Sequence, residues 1–265
     1  MPRKKDLPTA GGIRTKSDLT VRDVPSKGLS ARISGLNPSE VHHVFSILER
    51  RYFYALLWSN RIVDIKTQQL LPLENTQEIA DRMGIRHPIN PKTHELAQMS
   101  TDFVLDVIKN DVTIIEARSV KPEKEIYKRR TVEKLEIERL YWVEKGIDWR
   151  LVTERQIPMT LAENVEWAYE ALRLPLGFPI PEHQMEQVAQ TLLAEIRGSD
   201  VSLASAALLT DERLGMPNGT SLWIAKHMIA NRHWEVDMLS PIKPSERLEV
   251  LSISSSSLSS GGEYA

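Results

Sequence analysis

The chain predicts an α/β fold with a mixed sheet, followed by a smaller domain of three helices and a hairpin. Three observations carry this. Two strand-like segments, 101–108 and 113–121, lie between helical patterns at 41–58 and 131–145, and a further strand-like segment follows at 149–153. Helix, strands, helix and strand in that order make a mixed sheet covered by helices. The run Leu174-Pro175-Leu176-Gly177-Phe178-Pro179-Ile180-Pro181 then interrupts all periodicity. It marks a boundary between a domain at 29–173 and a second at 182–251, with a basic arm at 1–28 before them and a Ser/Gly-rich, disordered tail at 252–265 after them.

The arm holds seven basic against three acidic side chains, with no apolar period, and is read as extended, either a solvated tail or a segment that contacts phosphate. Asn37-Pro38-Ser39-Glu40 opens the first helix, whose apolar positions Val41, Val44, Phe45, Leu48, Tyr52 and Leu56 recur at helical spacing. Residues 61–66 read as a short strand. Residues 74–83 read as a helix stopped by Gly84, and His87-Pro88-Ile89-Asn90-Pro91 cannot be helical. The two central strands are separated by Lys109-Asn110-Asp111 and form a hairpin. The helix that follows is stopped by Gly146, and one more helix is expected at 162–172. Beyond the boundary, helices are expected around 188–196, 201–209 and 221–231. Short strands at 235–238 and 248–251 complete the order of a winged-helix domain.

The chain has 265 residues, 41% of them hydrophobic, enough to fill two cores. A formal charge of −2 excludes a uniformly basic coat but allows a local basic groove. With no cysteine, disulfides, zinc–thiolate sites and cysteine nucleophiles are excluded. No apolar run approaches a membrane span and no apolar stretch follows the charged start. A cytoplasmic protein with no membrane partner is expected.

Ser100-Thr101-Asp102 on one strand of the hairpin faces Ser119-Val120-Lys121 on the other. A carboxylate there can bind a hard divalent cation, and the Val120 carbonyl can add an oxygen. A lysine beside it can orient a water or stabilise charge on a phosphate oxygen. Glu49, on a nearby helix, is the candidate for a second carboxylate. The arrangement resembles the nuclease superfamily written PD-(D/E)xK.

The surrounding residues narrow this. Over roughly residues 20–170 the chain resembles the TnsA family, the endonuclease subunit of heteromeric cut-and-paste transposases of the Tn-seven-like kind. The resemblance lies in Val21-Arg22-Asp23-Val24-Pro25-Ser26, Val41-His42-His43, Leu48-Glu49, Arg86-His87-Pro88, Met99-Ser100-Thr101-Asp102-Phe103, Val120-Lys121-Pro122, the run from Thr131 to Arg139, Tyr141-Trp142 and Glu163-Asn164-Val165-Glu166-Trp167. It implies a restriction-endonuclease-like core in which Glu49, Asp102 and Lys121 are catalytic. Mg²⁺, with Mn²⁺ able to substitute, would be held by Glu49, Asp102, Ser119 and Val120. It further implies cleavage of the 5′ strands at transposon ends in double-stranded DNA. The implied partners are a TnsB-like DDE transposase and a TnsC-like AAA+ ATPase.

One position departs from the superfamily: two residues before the lysine stands Ser119, where an acid or Gln is usual. Its hydroxyl is a shorter and weaker ligand, and lengthening it to Glu or Gln is expected to tighten metal binding. Glu138 matches a family acid, but it also lies four residues after Lys134 on one helix face, and the reading as a helix charge partner is preferred. Lys124, Lys128, Arg129 and Arg130 form a basic loop directly after the hairpin, suited to the DNA backbone. The third helix of the second domain carries Lys226, His227, Arg232 and His233 but no stripe of Arg, Asn and Gln, which is thin for a recognition helix; the resemblance implies that this half docks the ATPase, and that reading is preferred. Two other functions fit the same residues: a stand-alone restriction or repair nuclease, and a catalytically weak adaptor that bridges DNA and proteins.

Overall fold

The computed structural model describes residues 14–15, 17–20, 30–35, 40–91 and 93–254. It divides into two compact units, Met1–Ile157 and Pro158–Ala265.

The first unit is a mixed α/β structure. Its main sheet has the order β4-β5-β6-β7, formed by Ile62–Leu70, Ser100–Lys109, Val112–Val120 and Asp148–Val152. β5 is antiparallel to both β4 and β6, and β7 joins β6 in parallel. That parallel return needs a crossover, supplied by α3 (Arg129–Glu144). The hairpin between β5 and β6 turns on Asn110 and Asp111, both with positive φ (51° and 60°), as a two-residue turn with right-handed strand twist requires. Gly84 and Gly146 follow α2 (Leu73–Arg82) and α3 with φ of 64° and 70°, the left-handed exit expected of both.

Successive residues of β5 serve opposite faces. Phe103 meets Tyr52 of α1 (Ile47–Leu57) edge-on, with ring centroids 5.2 Å apart. Its neighbour Val104 lies in a core with Leu71, Ile79, Ala80, Ala117, Ile137, Tyr141 and Trp142, which joins α2 and α3 to the sheet.

A smaller sheet has the order β1-β3-β2, from Arg14–Thr15, Glu40–Val44 and Ala31–Ser34. It corrects two expectations. Residues 40–44 are strand, and the first helix starts only at Ile47, because the Ser46 hydroxyl caps it by accepting from the Glu49 N–H. The expected opening at 37–39 lies outside the described residues. Residues 14–15 and 17–20 are likewise no free arm: β1 pairs with β3, and buried Ser17 accepts a hydrogen bond from the His43 N–H at 2.8 Å. The remaining arm residues lie outside the described set.

In the second unit, α4 (Met159–Tyr169), α5 (Glu182–Gly198), α6 (Leu203–Leu214) and α7 (Thr220–Ala230) precede a short antiparallel pair, Trp234–Glu235 with Ser252–Ile253. The domain boundary moves accordingly. Helix α4 was expected to close the first domain, yet Asn164 donates to the carbonyls of Met238 and Ser240 and accepts from the Ile242 N–H. Just beyond α4, Glu170 pairs with Lys226 of α7 at 2.7 Å. The proline-rich run 174–181 is therefore internal to the second unit. The strand pair is shorter than expected, and Ser252–Ile253 belong to it rather than to a tail. Residues 255–265 are outside the described set.

Candidate active site

The β5–β6 ladder runs from Lys109–Val112 to Phe103–Arg118. One residue beyond it, the Asp102 carboxylate accepts from the Val120 backbone N–H at 2.7 Å, so a side chain takes the place of a ladder carbonyl. The same oxygen accepts from Lys121 Nζ, also at 2.7 Å. The strand ends thus bring Asp102 and Lys121 together. Burial alone would lower the Lys121 ammonium, but Asp102, Glu49 and Glu138 outweigh it and raise its pKa above the ordinary lysine range. It stays protonated at neutral pH.

Glu49 stands in the first turn of α1. Its Oε2 accepts from the Phe45 N–H at 2.8 Å and from Gln68 Nε2 at 2.9 Å, and its Oε1 accepts from the Ser46 hydroxyl at 2.9 Å. The Ser46 hydroxyl thus caps the helix by accepting from the Glu49 N–H and donates back to the carboxylate, which fixes the carboxylate as well as the helix start. Burial, reinforced by the charge of Asp102, pushes the Glu49 carboxyl up to about 7.

Glu138 belongs here too, contrary to the preference for a surface pair with Lys134. It is only 5% exposed, and its Oε1 accepts from the Thr101 hydroxyl at 2.7 Å and from the Ser119 hydroxyl. Burial and then the Asp102 charge push it up to about 7 as well. One signal in the sequence could have found it: Glu138 falls within the stripe Leu135, Tyr141 and Trp142, the buried face of α3.

Ser119 is committed on both sides. Besides donating to Glu138, its hydroxyl accepts from Trp149 Nε1 at 3.2 Å. Trp142 Nε1 donates to the Thr101 hydroxyl at 2.7 Å, so two indoles hold the two hydroxyls that hold Glu138. A longer side chain at 119 would have to displace that carboxylate.

Part of the basic loop is helical. A single 3-10 turn at Glu123–Glu125 leads into α3, and Lys128, Arg129 and Arg130 form ion pairs with Glu125, Glu133 and Glu133 respectively. All three pairs are solvated on the cationic side, so their cost of exchange for phosphate is small.

Oxygen donors of Asp102, Glu49 and Glu138 around one lysine suit a hard divalent cation and no soft one. Two carboxyls held near 7 by burial, and further by the charge of Asp102, are a site short of positive charge. Among the described residues no group of three or more acidic or histidine side chains is arranged to hold a metal ion by itself.

A family described as TnsA-like endonuclease N terminal matches residues 59–154, and one described as TnsA endonuclease C terminal matches residues 156–238. The transposon Tn7 transposition protein TnsA of Escherichia coli is 37% identical over 178 residues, 67% of this chain and 60% of that protein. The chain belongs to the TnsA family. The TnsA N-terminal match contains Asp102, Ser119, Lys121 and Glu138 but begins after Glu49. The junction of the two TnsA matches falls at the boundary between the structural units, near Ile157. The chain spans about 60% of the length of the curated TnsA relative it matches.

Proposed function

We propose that this chain is a metal-dependent DNA endonuclease that serves as a subunit of a heteromeric transposase, cutting the 5′ strands at the ends of a transposon. The observation that carries it is the meeting of Asp102 and Lys121 at the splayed ends of β5 and β6, with Glu49 and Glu138 buried beside them. The core is read as restriction-endonuclease-like of the PD-(D/E)xK kind. Glu49, Asp102 and the Val120 carbonyl would hold Mg²⁺ or Mn²⁺, with Glu138 in the place left by Ser119, whose hydroxyl acts on Glu138. The metal would supply Lewis-acid polarisation of the scissile phosphate and an acidified water.

The chain's own groups have separable tasks. The protonated Lys121 can neutralise charge on a phosphate oxygen or orient the attacking water. Glu49 or Glu138, poised near neutral pH, can take the proton that water loses. Lys124, Lys128, Arg129 and Arg130 would follow the DNA backbone.

In the second unit, α7 has eight buried residues of eleven, among them His227, and Lys226 is paired with Glu170. A helix so enclosed cannot lie in a groove. This supports the docking of a TnsC-like ATPase on other faces of a winged-helix-like domain, with a TnsB-like transposase processing the 3′ ends. No described helix is long and apolar enough to cross a membrane, and a bacterial cytoplasmic setting follows from the proposed role.

The test is cleavage of end-labelled transposon-end DNA by the purified chain, with and without the partner transposase, in Mg²⁺. Cuts at the 5′ strands that need the partner support the proposal. Cleavage by the chain alone with no gain from the partner supports a stand-alone nuclease, and DNA binding without cleavage supports an adaptor.

A further inference from the structure

Gln68 is a buried, hydrogen-bonded side chain beside the site. It lies in β4 between Thr67, which pairs with Phe103, and Gln69, which pairs with Thr101, and so falls across from Asp102. It is 2% exposed, and its φ is +53°, a left-handed conformation inside a strand at a residue that is not glycine. Such backbone is unfavourable for a long side chain and persists only where neighbours impose it.

Those neighbours are identifiable. On one side of Gln68, the Thr67 hydroxyl is hydrogen-bonded to buried Ser17. On the other, the Leu70 N–H donates to Asp18 Oδ2 at 2.9 Å. The segment Ser17–Asp18 therefore grips β4 both before and after the irregular residue. The irregularity lets the Gln68 amide reach two groups at the site: Nε2 donates to Glu49 Oε2, and Oε1 faces the Ser100 hydroxyl at 3.5 Å. Oε2 is the Glu49 oxygen that also takes the Phe45 N–H. The Gln68 amide and the donors of Phe45 and Ser46 thus act on the carboxylate from two separate elements, β4 and the start of α1.

We propose that Gln68 is a positioning residue for catalysis: its strained backbone, gripped by Ser17 and Asp18, exists to aim an amide donor at Glu49 and hold that carboxylate in one orientation toward Asp102. The proposal rests on the nuclease reading above. It assigns the strain to the site rather than to the fold, since a regular residue at 68 would complete the ladder with β5 and turn its side chain elsewhere.

Two substitutions separate position from stability. Asn is tolerated in left-handed backbone, but its amide is one methylene too short to reach Glu49. Gly adopts the backbone freely and has no amide. The full chain carrying Gln68→Asn or Gln68→Gly is titrated with Mn²⁺ by calorimetry, melted, and assayed for end cleavage with the partner transposase. Both variants are expected to melt at or near the wild-type temperature and to bind Mn²⁺ about 10–100-fold more weakly, the usual effect of losing a group that orients a metal ligand. The maximal cleavage rate should fall with little change in the DNA concentration needed for half-maximal rate. Folded variants that bind Mn²⁺ and cut as the wild type does would overturn the assignment. Unfolding of both variants would also overturn it, by showing that Gln68 holds the fold. A wild-type chain that neither binds Mn²⁺ nor cuts would refute the nuclease reading first, a result recognisable without any variant.

Discussion

Replacing Glu138 by Gln should make the metal-free protein more stable at pH 8 while disabling cleavage. Glu49 and Glu138 ionise near 4.5 in an unfolded chain and near 7 in the folded one. Between those values the native state holds protons that the unfolded state has released. Stability therefore falls as pH rises, by about 1.4 kcal/mol per pH unit for each carboxyl and by roughly 3 kcal/mol over the whole interval. Below 4.5 both states are protonated and the penalty is absent; above 7 it is complete. Gln at 138 keeps the oxygen to which Thr101 and Ser119 donate and carries no charge to be desolvated. Urea unfolding of the full chain and of Glu138→Gln, from pH 4.5 to pH 8, should show two curves that meet at the acid end and diverge to about 2–3 kcal/mol at pH 8. Other carboxyls add slopes common to both proteins, so the difference isolates position 138. Added Mg²⁺ should stabilise the wild type more than the variant at pH 8, because a ligand stabilises the state that binds it. A constant difference at all pH values, or a variant less stable at pH 8, would refute a buried, charge-starved Glu138.

Asp102→Asn and Lys121→Met should each lower end cleavage at least about a hundredfold, the scale of losing one charge-stabilising group; calorimetry should show Mn²⁺ binding lost in the first and kept in the second. Ser119→Ala should cost roughly 1–2 kcal/mol in unfolding, since it removes a hydroxyl bridging Trp149 and Glu138. Ser119→Glu should lose cleavage rather than gain it, reversing the expectation drawn from the chain alone; a faster Ser119→Glu enzyme would show that the serine is a weakened metal position after all. Neutralising Lys124, Lys128, Arg129 and Arg130 together should flatten the salt dependence of DNA binding by about one unit of slope per lost phosphate contact, and an unchanged slope would move the DNA path elsewhere.

How much of this could be read in the chain differs from element to element. The β5–β6 hairpin, α2, α3 and the return strand β7 were legible, because each has a clean period and a local stop: Asn110-Asp111, Gly84 or Gly146. Residues 40–44 misled because Val41, Val44 and Phe45 fit a helical stripe by accident, and only pairing with two other strands decides for β. The domain boundary misled for a related reason. Prolines announce a break in regular structure, but whether the break separates domains depends on what packs across it, and α4 packs with the second unit. At the site, Asp102 and Lys121 were legible from their places at strand ends. Glu138 was visible as an acid in an apolar stripe, but the competing spacing to Lys134 drew the reading outward. Gln68 left no local trace, since its left-handed backbone is imposed by Ser17 and Asp18 some fifty positions away.

The two-residue turn at Asn110-Asp111 also offers a place to attach things. It lies at the far end of β5 from Asp102, eight residues of strand away, which at the rise of a β-strand is about 26 Å. With no cysteine in the chain, a single Cys placed beside the turn at exposed Val112 would be a unique handle for a fluorophore or a surface tether. A dye there would be too distant to touch the cleavage chemistry yet close enough for energy transfer to a labelled transposon end. Arrival of the DNA, cutting and departure could then be timed on single molecules of an otherwise unaltered protein.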